Sequence, residues 1–245
     1  MHKRLTALYS LFIALIFTSC ASIRTEKAQD EGWIHLFDGS SLDGWKAYNG
    51  DRMPPGWVNL DGVLTFGKEH VTDEDRDYKG TRDIIYAAQE FENFELYLEW
   101  KIPPGGNSGI LHHAVEGYKR IYQVAPEYQL IDDEGFNEIH DANLKPDQLT
   151  GANYAMHAPD ASKKKLNPVG KWNSSRIVFT QERVEHWLNG ELLLSYKPWS
   201  EDWQQRKANS KWKNAKNYAK YKKGYIGLQD HGSALWFRNI KVRRL

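Results

Sequence analysis

Three short stretches of the chain carry side chains that could bind a polar substrate and exchange protons with it. Carboxyl and imidazole groups are common proton-transfer groups in enzymes, and side-chain amides donate and accept hydrogen bonds. Each stretch is predicted to be a strand or to follow one directly, so the alternation of side chains decides whether the groups can meet. The residues concerned are His112, His113, Glu127, Gln129, Gln229 and His231.

Alternation places most of these groups on one face of a sheet. If the apolar residues Tyr128 and Leu130 belong to the core, then Glu127 and Gln129 project outwards. By the same argument, Gln229 and His231 project outwards if Ile226 and Leu228 belong to the core. The phase of the strand predicted at 107–115 is ambiguous, so either His112 or His113, but not both, is expected to face the site.

Two predicted loops could close over the same face. His140 and Asp141 lie on one of them, and His157 follows Tyr154 on the other. The chain has no HExxH sequence and no spaced Cys/His cluster, which disfavours a structural zinc site, while a single divalent ion held by His, Glu and Asp is left open. It also lacks glycine-rich phosphate loops and the GxSxG nucleophile turn.

Short strands joined by tight turns must position these groups. In residues 94–102, apolar side chains alternate with polar ones, as in a strand with one buried and one wet face. Asp61-Gly62 and Asn189-Gly190 lie between apolar runs and predict hairpins. About a dozen such strands predict an all-β fold, a two-sheet antiparallel β-sandwich with loop and short helical insertions. Residues 120–124 and 152–156 are expected to be extended as well.

The N-terminal segment is predicted to direct export and lipid attachment. Residues 1–19 have a basic start, a short apolar run and small residues, which is the layout of a secretory signal peptide. The residues before Cys20 resemble a bacterial lipobox, which predicts lipidation of Cys20 and anchoring in the bacterial cell envelope, at the periplasmic or outer membrane. An ordinary signal peptide followed by an unmodified cysteine is the alternative. Residues 20–31 are a predicted flexible tether, and residues 32–245 are predicted to form one domain.

Charge and aromatic content narrow the class of partner. The formal net charge is +1, and loss of Lys3 and Arg4 with the signal peptide leaves 31 basic and 32 acidic residues. This balance gives no electrostatic footprint for nucleic acid. The 10 Trp and 13 Tyr residues suit either the stacking of sugar faces or an aromatic-rich core. The basic, aromatic segment 200–223 is expected to pack on a sheet edge with its lysines in water, and a binding patch is the alternative.

Five motifs, in order along the chain, resemble one family of carbohydrate-active proteins. They are LFDGSSLDGW (36–45), FENFELYLEWKIPPGGNSGI (91–110), EYQLIDD (127–133), the GKWN–RIVF–HWLNG series (170–190) and GLQDHGSALWFRNIKV (227–242). Together they are similar to the 3-keto-disaccharide hydrolase-like family over nearly the whole predicted mature chain. The resemblance implies a concanavalin-like jelly roll, shared with laminarinases, and an oligosaccharide or glycoside substrate. A partner oxidoreductase would first oxidise the C3 hydroxyl of that substrate to a ketone.

The implied reaction is an elimination. A ketone at C3 acidifies the C2 proton, a base removes that proton, the C1 aglycone leaves, and water adds to the enone. This needs a base, an acid and a stabiliser for the enolate. Under the resemblance, the acid/base candidates are Glu127 and His231, with His112 or His113 completing the pair. Binding roles are predicted for Gln129, Gln229 and Asp132, and stacking roles for Tyr154, Trp172 and Trp187.

Two other functions remain compatible with the sequence. A lectin-like fold rich in Trp also fits a non-catalytic carbohydrate-binding lipoprotein. A conventional glycosidase needs paired carboxylates. It is disfavoured because Gln129 and Ile131 stand where the acids of a laminarinase-type strand would be.

Overall fold

The computed structural model describes residues 32–75 and 77–245. The predicted signal peptide, the lipidation site Cys20 and the tether at 20–31 lie outside the described residues. Ile34–Leu245 forms one compact unit. Within the described part of the chain, no helix has both the length and the apolar character needed to cross a bilayer.

Short strands dominate the described residues. The strands are β1 (Ile34–Phe37), β2 (Trp45–Ala47), β3 (Trp57–Leu60), β4 (Val63–Phe66), β5 (Ile84–Phe91), β6 (Phe94–Lys101), β7 (Asn107–Ala114), β8 (Glu127–Ile131), β9 (Asn173–Phe179), β10 (Val184–Leu188), β11 (Glu191–Tyr196), β12 (Gly224–Leu228) and β13 (Leu235–Arg244). The helices are α1 (Phe136–His140) and α2 (Glu201–Asn209), with short 3-10 helices at Lys68–His70, Asp73–Asp75, Ile121–Gln123 and Pro146–Gln148.

The strands form two antiparallel sheets. The larger sheet has the order β11-β10-β9-β6-β13-β4-β3, with β1 also paired to β13. The smaller sheet has the order β2-β5-β12-β7-β8. This arrangement confirms the predicted all-β, two-sheet antiparallel sandwich of jelly-roll type.

The main core lies between the sheets, and β6 shows how the sequence builds it. Phe94, Leu96, Leu98 and Trp100 are buried in the core, and each such side chain contributes about 1.5–3 kcal/mol of apolar transfer free energy. The alternate residues lie on the other face, where Glu95 is ion-paired with two arginines. The predicted period of two in this strand is therefore confirmed.

The turn chemistry is also as predicted. Both central residues of the two hairpins have positive φ: 49° and 80° at Asp61-Gly62, and 47° and 86° at Asn189-Gly190. Asn and Gly tolerate this left-handed conformation better than other residues, which is why the Asn-Gly pair forms a tight hairpin turn.

Two segments expected to be extended adopt turns instead. Residues 121–123 form a 3-10 helix in which Ile121 and Val124, three residues apart, are both buried. Residues 152–156 form a tight turn in which Asn153 and His157 exchange backbone hydrogen bonds. Ala155 within this turn has a φ of 57°. Both segments lack the period-two pattern that a wet-faced strand requires.

Candidate active site

Strand register aligns a row of polar residues across the smaller sheet. Ile84, Leu228, Ile110 and Tyr128 are cross-strand partners, and all four are buried in the main core. Because side chains alternate between faces, the adjacent row points away from the core. That row consists of Asp83, Gln229, Gly109 and Gln129.

A cleft of about 870 Å³ opens over this row. It brings together five of the predicted site residues: Glu127, Gln129, Tyr154, Gln229 and His231. His231 is exposed on the turn after β12, while Glu127 and the two glutamines are buried. The parity argument therefore predicted this face correctly for β8 and for the residues after β12.

Glu127 places a carboxyl at the floor of the cleft, with only 4 % of the residue exposed. Its side chain lies over Gly109, where an added methyl group would overlap Oε1. Within residues 32–75 and 77–245, no group donates a hydrogen bond to this carboxyl. Burial raises the pKa of Glu127 to about 8; the Lys211 ammonium opposes the rise and the Asp83 carboxylate adds to it.

A second buried carboxyl, Asp83, lines the same cleft with 6 % of the residue exposed. The backbone N–H of Asp230 donates to its Oδ1 at 3.1 Å. The backbone of Asp83 is held as well, since its carbonyl accepts from the N–H of Tyr48 at 2.9 Å. Burial raises the pKa of Asp83 to about 6. The sequence analysis did not predict a role for Asp83. The signal that could have indicated it is its position directly before β5, a strand of the smaller sheet.

The segment 200–223 contributes a cation to the cleft. Lys211 Nζ lies 3.8 Å from the ring centroid of Tyr154 and 4.4 Å from that of Trp212. The Trp212 Nε1–H donates to the carbonyl of Tyr154 at 3.0 Å, which joins the segment to the loop that contains Tyr154. Burial lowers the pKa of Lys211, and Glu127 opposes this shift. Lys211 is exposed, as expected for the lysines of this segment, and it also lines the cleft.

Two buried amide oxygens in the cleft have no donor. Gln129 Oε1 and Asn107 Oδ1 are both buried, and the described residues supply no hydrogen bond to either. A buried acceptor left unpaired costs about 1–3 kcal/mol. Hydroxyl groups of a sugar would satisfy both acceptors, so this part of the cleft suits a polyhydroxylated ligand.

The structure places neither His112 nor His113 in the cleft. Both rings are buried and pack against Phe94 and Phe179 in the interior. His113 has a φ of 54°, and the pairing of β7 with β12 shifts register nearby, so the alternation that exposes one of two neighbours is broken. Their Nδ1 atoms lie 2.7 Å apart, and His113 Nε2 lies 2.9 Å from the carbonyl oxygen of Glu92. The two histidines therefore hydrogen-bond to each other and to the backbone.

Asp132 and His140 fasten a turn outside the cleft. Asp132 accepts hydrogen bonds from the N–H groups of Gly105 at 2.8 Å and Gly135 at 3.0 Å. His140 Nε2 lies 2.9 Å from the carbonyl oxygen of Gly105, and Asp141 ends α1 with a φ of 47°. These contacts hold Asp132 in the turn, and its substrate-binding role stays a prediction.

The other predicted stacking residues also lie away from the cleft. An arginine guanidinium covers the ring of Trp172 at 4.1 Å and another covers that of Trp187 at 3.9 Å, on the outer face of the larger sheet. His157 stacks on Tyr196 with a centroid distance of 4.1 Å. Of the three predicted platforms, Tyr154 lines the cleft.

No metal cluster occurs among the described residues. In residues 32–75 and 77–245, no group of three or more His, Cys, Asp and Glu side chains converges closely enough to hold an ion. The divalent metal considered from the sequence stays a prediction.

Comparison with known proteins identifies the family. A family model described as the 3-keto-alpha-glucoside-1,2-lyase-like domain matches residues 32–243. The chain belongs to this family. The match confirms the predicted family and the predicted enzyme class, a glycoside-cleaving hydrolase.

Individual proteins are similar to this chain in sequence and fold. A 3-keto-disaccharide hydrolase of Bacteroides thetaiotaomicron is 35 % identical over 236 residues, covering 88 % of this chain and 79 % of that protein. A crystal structure from Parabacteroides distasonis, provisionally named a glycosyl hydrolase, has a TM-score of 0.78 and 39 % identity over 90 % of this chain and 97 % of its own. A second structure from that organism, with the same provisional name, has a TM-score of 0.63 and 28 % identity, over 87 % of this chain and 99 % of its own.

Proposed function

We propose that the protein cleaves 3-keto-glycosides by eliminating the C1 aglycone and then adding water. The observation that carries this proposal is the Glu127 carboxyl, which is buried, receives no hydrogen bond from the described residues and borders a polar cleft. With a pKa of about 8 it holds a proton at neutral pH, and it can give that proton to a departing oxygen. The name of the Bacteroides thetaiotaomicron relative supports a 3-keto sugar as the substrate.

The steps balance with one acid and one base. The base takes the C2 proton. The electron pair of the broken C2–H bond moves towards the C3 ketone, which becomes an enolate. The enolate collapses, C1=C2 forms, and the C1–O1 bond breaks as Glu127 protonates O1. Water then adds at C1, its proton returns to Glu127, and the base returns a proton to C2. The products are the free 3-keto sugar and the aglycone alcohol, and both protein groups regain their starting protonation states.

Lys211 is the proposed electrostatic partner of the enolate. Its ammonium borders the cleft near Glu127 and lies over the rings of Tyr154 and Trp212. A cation held beside the cleft stabilises negative charge that develops on the substrate. Asn107 and Gln129 are the proposed acceptors for sugar hydroxyls, and His231 at the cleft mouth stays a candidate for contact with the aglycone.

The cellular setting belongs to the same proposal. The substrate requires a ketone at C3, so a separate oxidoreductase must produce it. Lipidation at Cys20 would keep the enzyme in the bacterial envelope, where exported oligosaccharide-degrading enzymes work.

The proposal is tested by aglycone release from matched glucosides. Wild-type protein is incubated with methyl and 4-nitrophenyl 3-keto-glucosides and with the corresponding unoxidised glucosides. Release from the keto substrates alone is expected. Binding without release would support the non-catalytic carbohydrate-binding alternative. Turnover of the unoxidised glucosides at equal rates would overturn the elimination route. Assays with chelator and with added divalent ions decide whether activity needs a metal.

The role of Glu127 is tested by leaving-group dependence. Glu127→Gln is expected to lose about 10²–10⁴-fold in the release of methanol, because that leaving group needs a proton. Loss with 4-nitrophenolate, which departs as an anion, is expected to stay within about tenfold. Glu182→Gln, which changes an exposed carboxylate paired with Lys197, is the control and is expected to match wild type. Equal losses for the two aglycones would remove Glu127 as the acid.

A further inference from the structure

We infer that Asp83 is the base that removes the C2 proton, and this inference rests on the function proposed above. Asp83 lies beside the end of β12, in the same cleft as Glu127. Sequence patterns had assigned the second proton-transfer role to a histidine. The structure instead offers a second buried carboxyl, held in one orientation by the protein backbone.

Strand geometry brings the two carboxyls towards each other. Gly109 on β7 has no side chain, so Glu127 from β8 reaches across it towards β12. Asp83, at the start of β5, reaches the backbone of Asp230 directly beyond β12. Neighbouring strands are about 4.8 Å apart, so the two carboxyls approach β12 from opposite sides, about one to two strand spacings from each other. A sugar ring placed over Gln229 would meet one carboxyl on each side.

The environment separates the roles of the two carboxyls. Burial raises both pKa values, to about 8 at Glu127 and to about 6 at Asp83. At neutral pH Glu127 therefore holds the proton and Asp83 is ionised, which is the arrangement required of an acid and a base. Of the charged groups near Asp83, Asp230 raises its pKa further and Arg120 lowers it. Four other titratable or charged groups line the same cleft: Arg82, Glu127, Lys211 and His231.

His231 and Asp230 are the competing bases in the same wall. His231 is exposed at the mouth of the cleft. The Asp230 side chain accepts the N–H of Gly232 at 2.7 Å and so closes its own turn. Asp83 is the more deeply buried and the more firmly placed of the three, which is what proton abstraction from carbon requires.

The inference is tested by hydrogen exchange at C2, which reports proton abstraction without aglycone release. Wild-type protein and variants are mixed with methyl 3-keto-glucoside in D2O, and loss of the C2 proton signal is followed by NMR. Glu127→Gln is expected to keep exchanging C2, because its base is intact, while releasing little methanol. Asp83→Asn is expected to slow C2 exchange at least about 10²-fold and to slow release of both methanol and 4-nitrophenolate.

Two further measurements separate a lost base from a lost fold. The Asn oxygen can still accept the N–H of Asp230, so the thermal midpoint of Asp83→Asn should stay close to that of wild type. The wild-type exchange rate should rise with pH through about 6, and Asp83→Asn should lose that dependence. Exchange retained in Asp83→Asn but lost in Asp230→Asn or His231→Gln would overturn the assignment. If wild type neither exchanges nor cleaves, the proposed function itself is wrong.

Discussion

Gly109 controls where the Glu127 carboxyl can lie. A methyl group at this position would occupy the space of Oε1, while the flexible end of the glutamate can move aside. We therefore expect Gly109→Ala to fold normally but to shift the acid, lowering kcat for methyl 3-keto-glucoside about 10²-fold with a smaller change in KM. Steady-state kinetics and thermal unfolding of the variant check this. An unchanged kcat would show that the carboxyl observed over Gly109 is not the reactive position.

At this scale the sequence predicted the faces of regular strands and failed where a strand is irregular. Glu127 and Gln129 lie in a regular stretch of β8, and period-two alternation was enough to aim them at the cleft. His113 has a positive φ and lies beside a register shift. The sequence around it has no pattern that predicts either feature. Asp83 was missed for a different reason. Its chemistry depends on burial by parts of the chain far away in sequence, such as the turn at Asp230.

The segment 200–223 contributes Lys211 to the cleft, and it has a small core of its own. Trp203, Trp212 and Tyr218 form a hydrophobic cluster separate from the one between the sheets. Trp212 and Tyr218 stack with a centroid distance of 4.2 Å and an interplanar angle of 8°. Ser200 caps the N-terminus of α2 by accepting from the N–H of Trp203. Composition alone could not show which face of this insertion meets the sheet, because its aromatic residues have no regular spacing.

A separate core predicts separate stability for this segment. Trp203 is buried in the small cluster and lies outside the main core, so Trp203→Ala should open the segment without unfolding the sandwich. Expected results are faster amide hydrogen exchange in residues 201–219, unchanged exchange in β6, and a several-fold rise in KM as Lys211 loses its position. Trp187→Ala is the matched control, since it removes a tryptophan from the outer face of the larger sheet. A KM that rises equally in both variants would contradict local opening.

At the scale of the whole described domain, four histidines are buried: His112, His113, His157 and His186. Burial lowers the pKa of His113, His157 and His186 to about 4, and that of His112 well below 6.5. Unfolding returns the pKa of each histidine to about 6.5. Their contribution to the free energy of unfolding is therefore fully present above pH 6.5 and is lost as the pH falls towards 4. Burial of these neutral imidazoles therefore makes the sandwich less stable at acidic pH.

The carboxyls of Glu127 and Asp83 change the free energy of unfolding with pH in the direction opposite to the histidines, and this difference can be measured. The pKa of Glu127 is raised to about 8 and that of Asp83 to about 6, so their contribution to stability is present at low pH and is lost as the pH rises. Near pH 5.5 more histidines bind protons on unfolding than carboxyls release them, so unfolding takes up protons. The urea-unfolding free energy should then fall by about 1.4 kcal/mol per proton for each pH unit of acidification. Glu127→Gln removes one opposing group, so its proton uptake should exceed that of wild type by about one proton. The variant should gain stability over wild type between pH 6 and pH 9 while differing little at pH 4. Parallel curves for the two proteins across this range would contradict the burial of an ionisable carboxyl at the floor of the cleft.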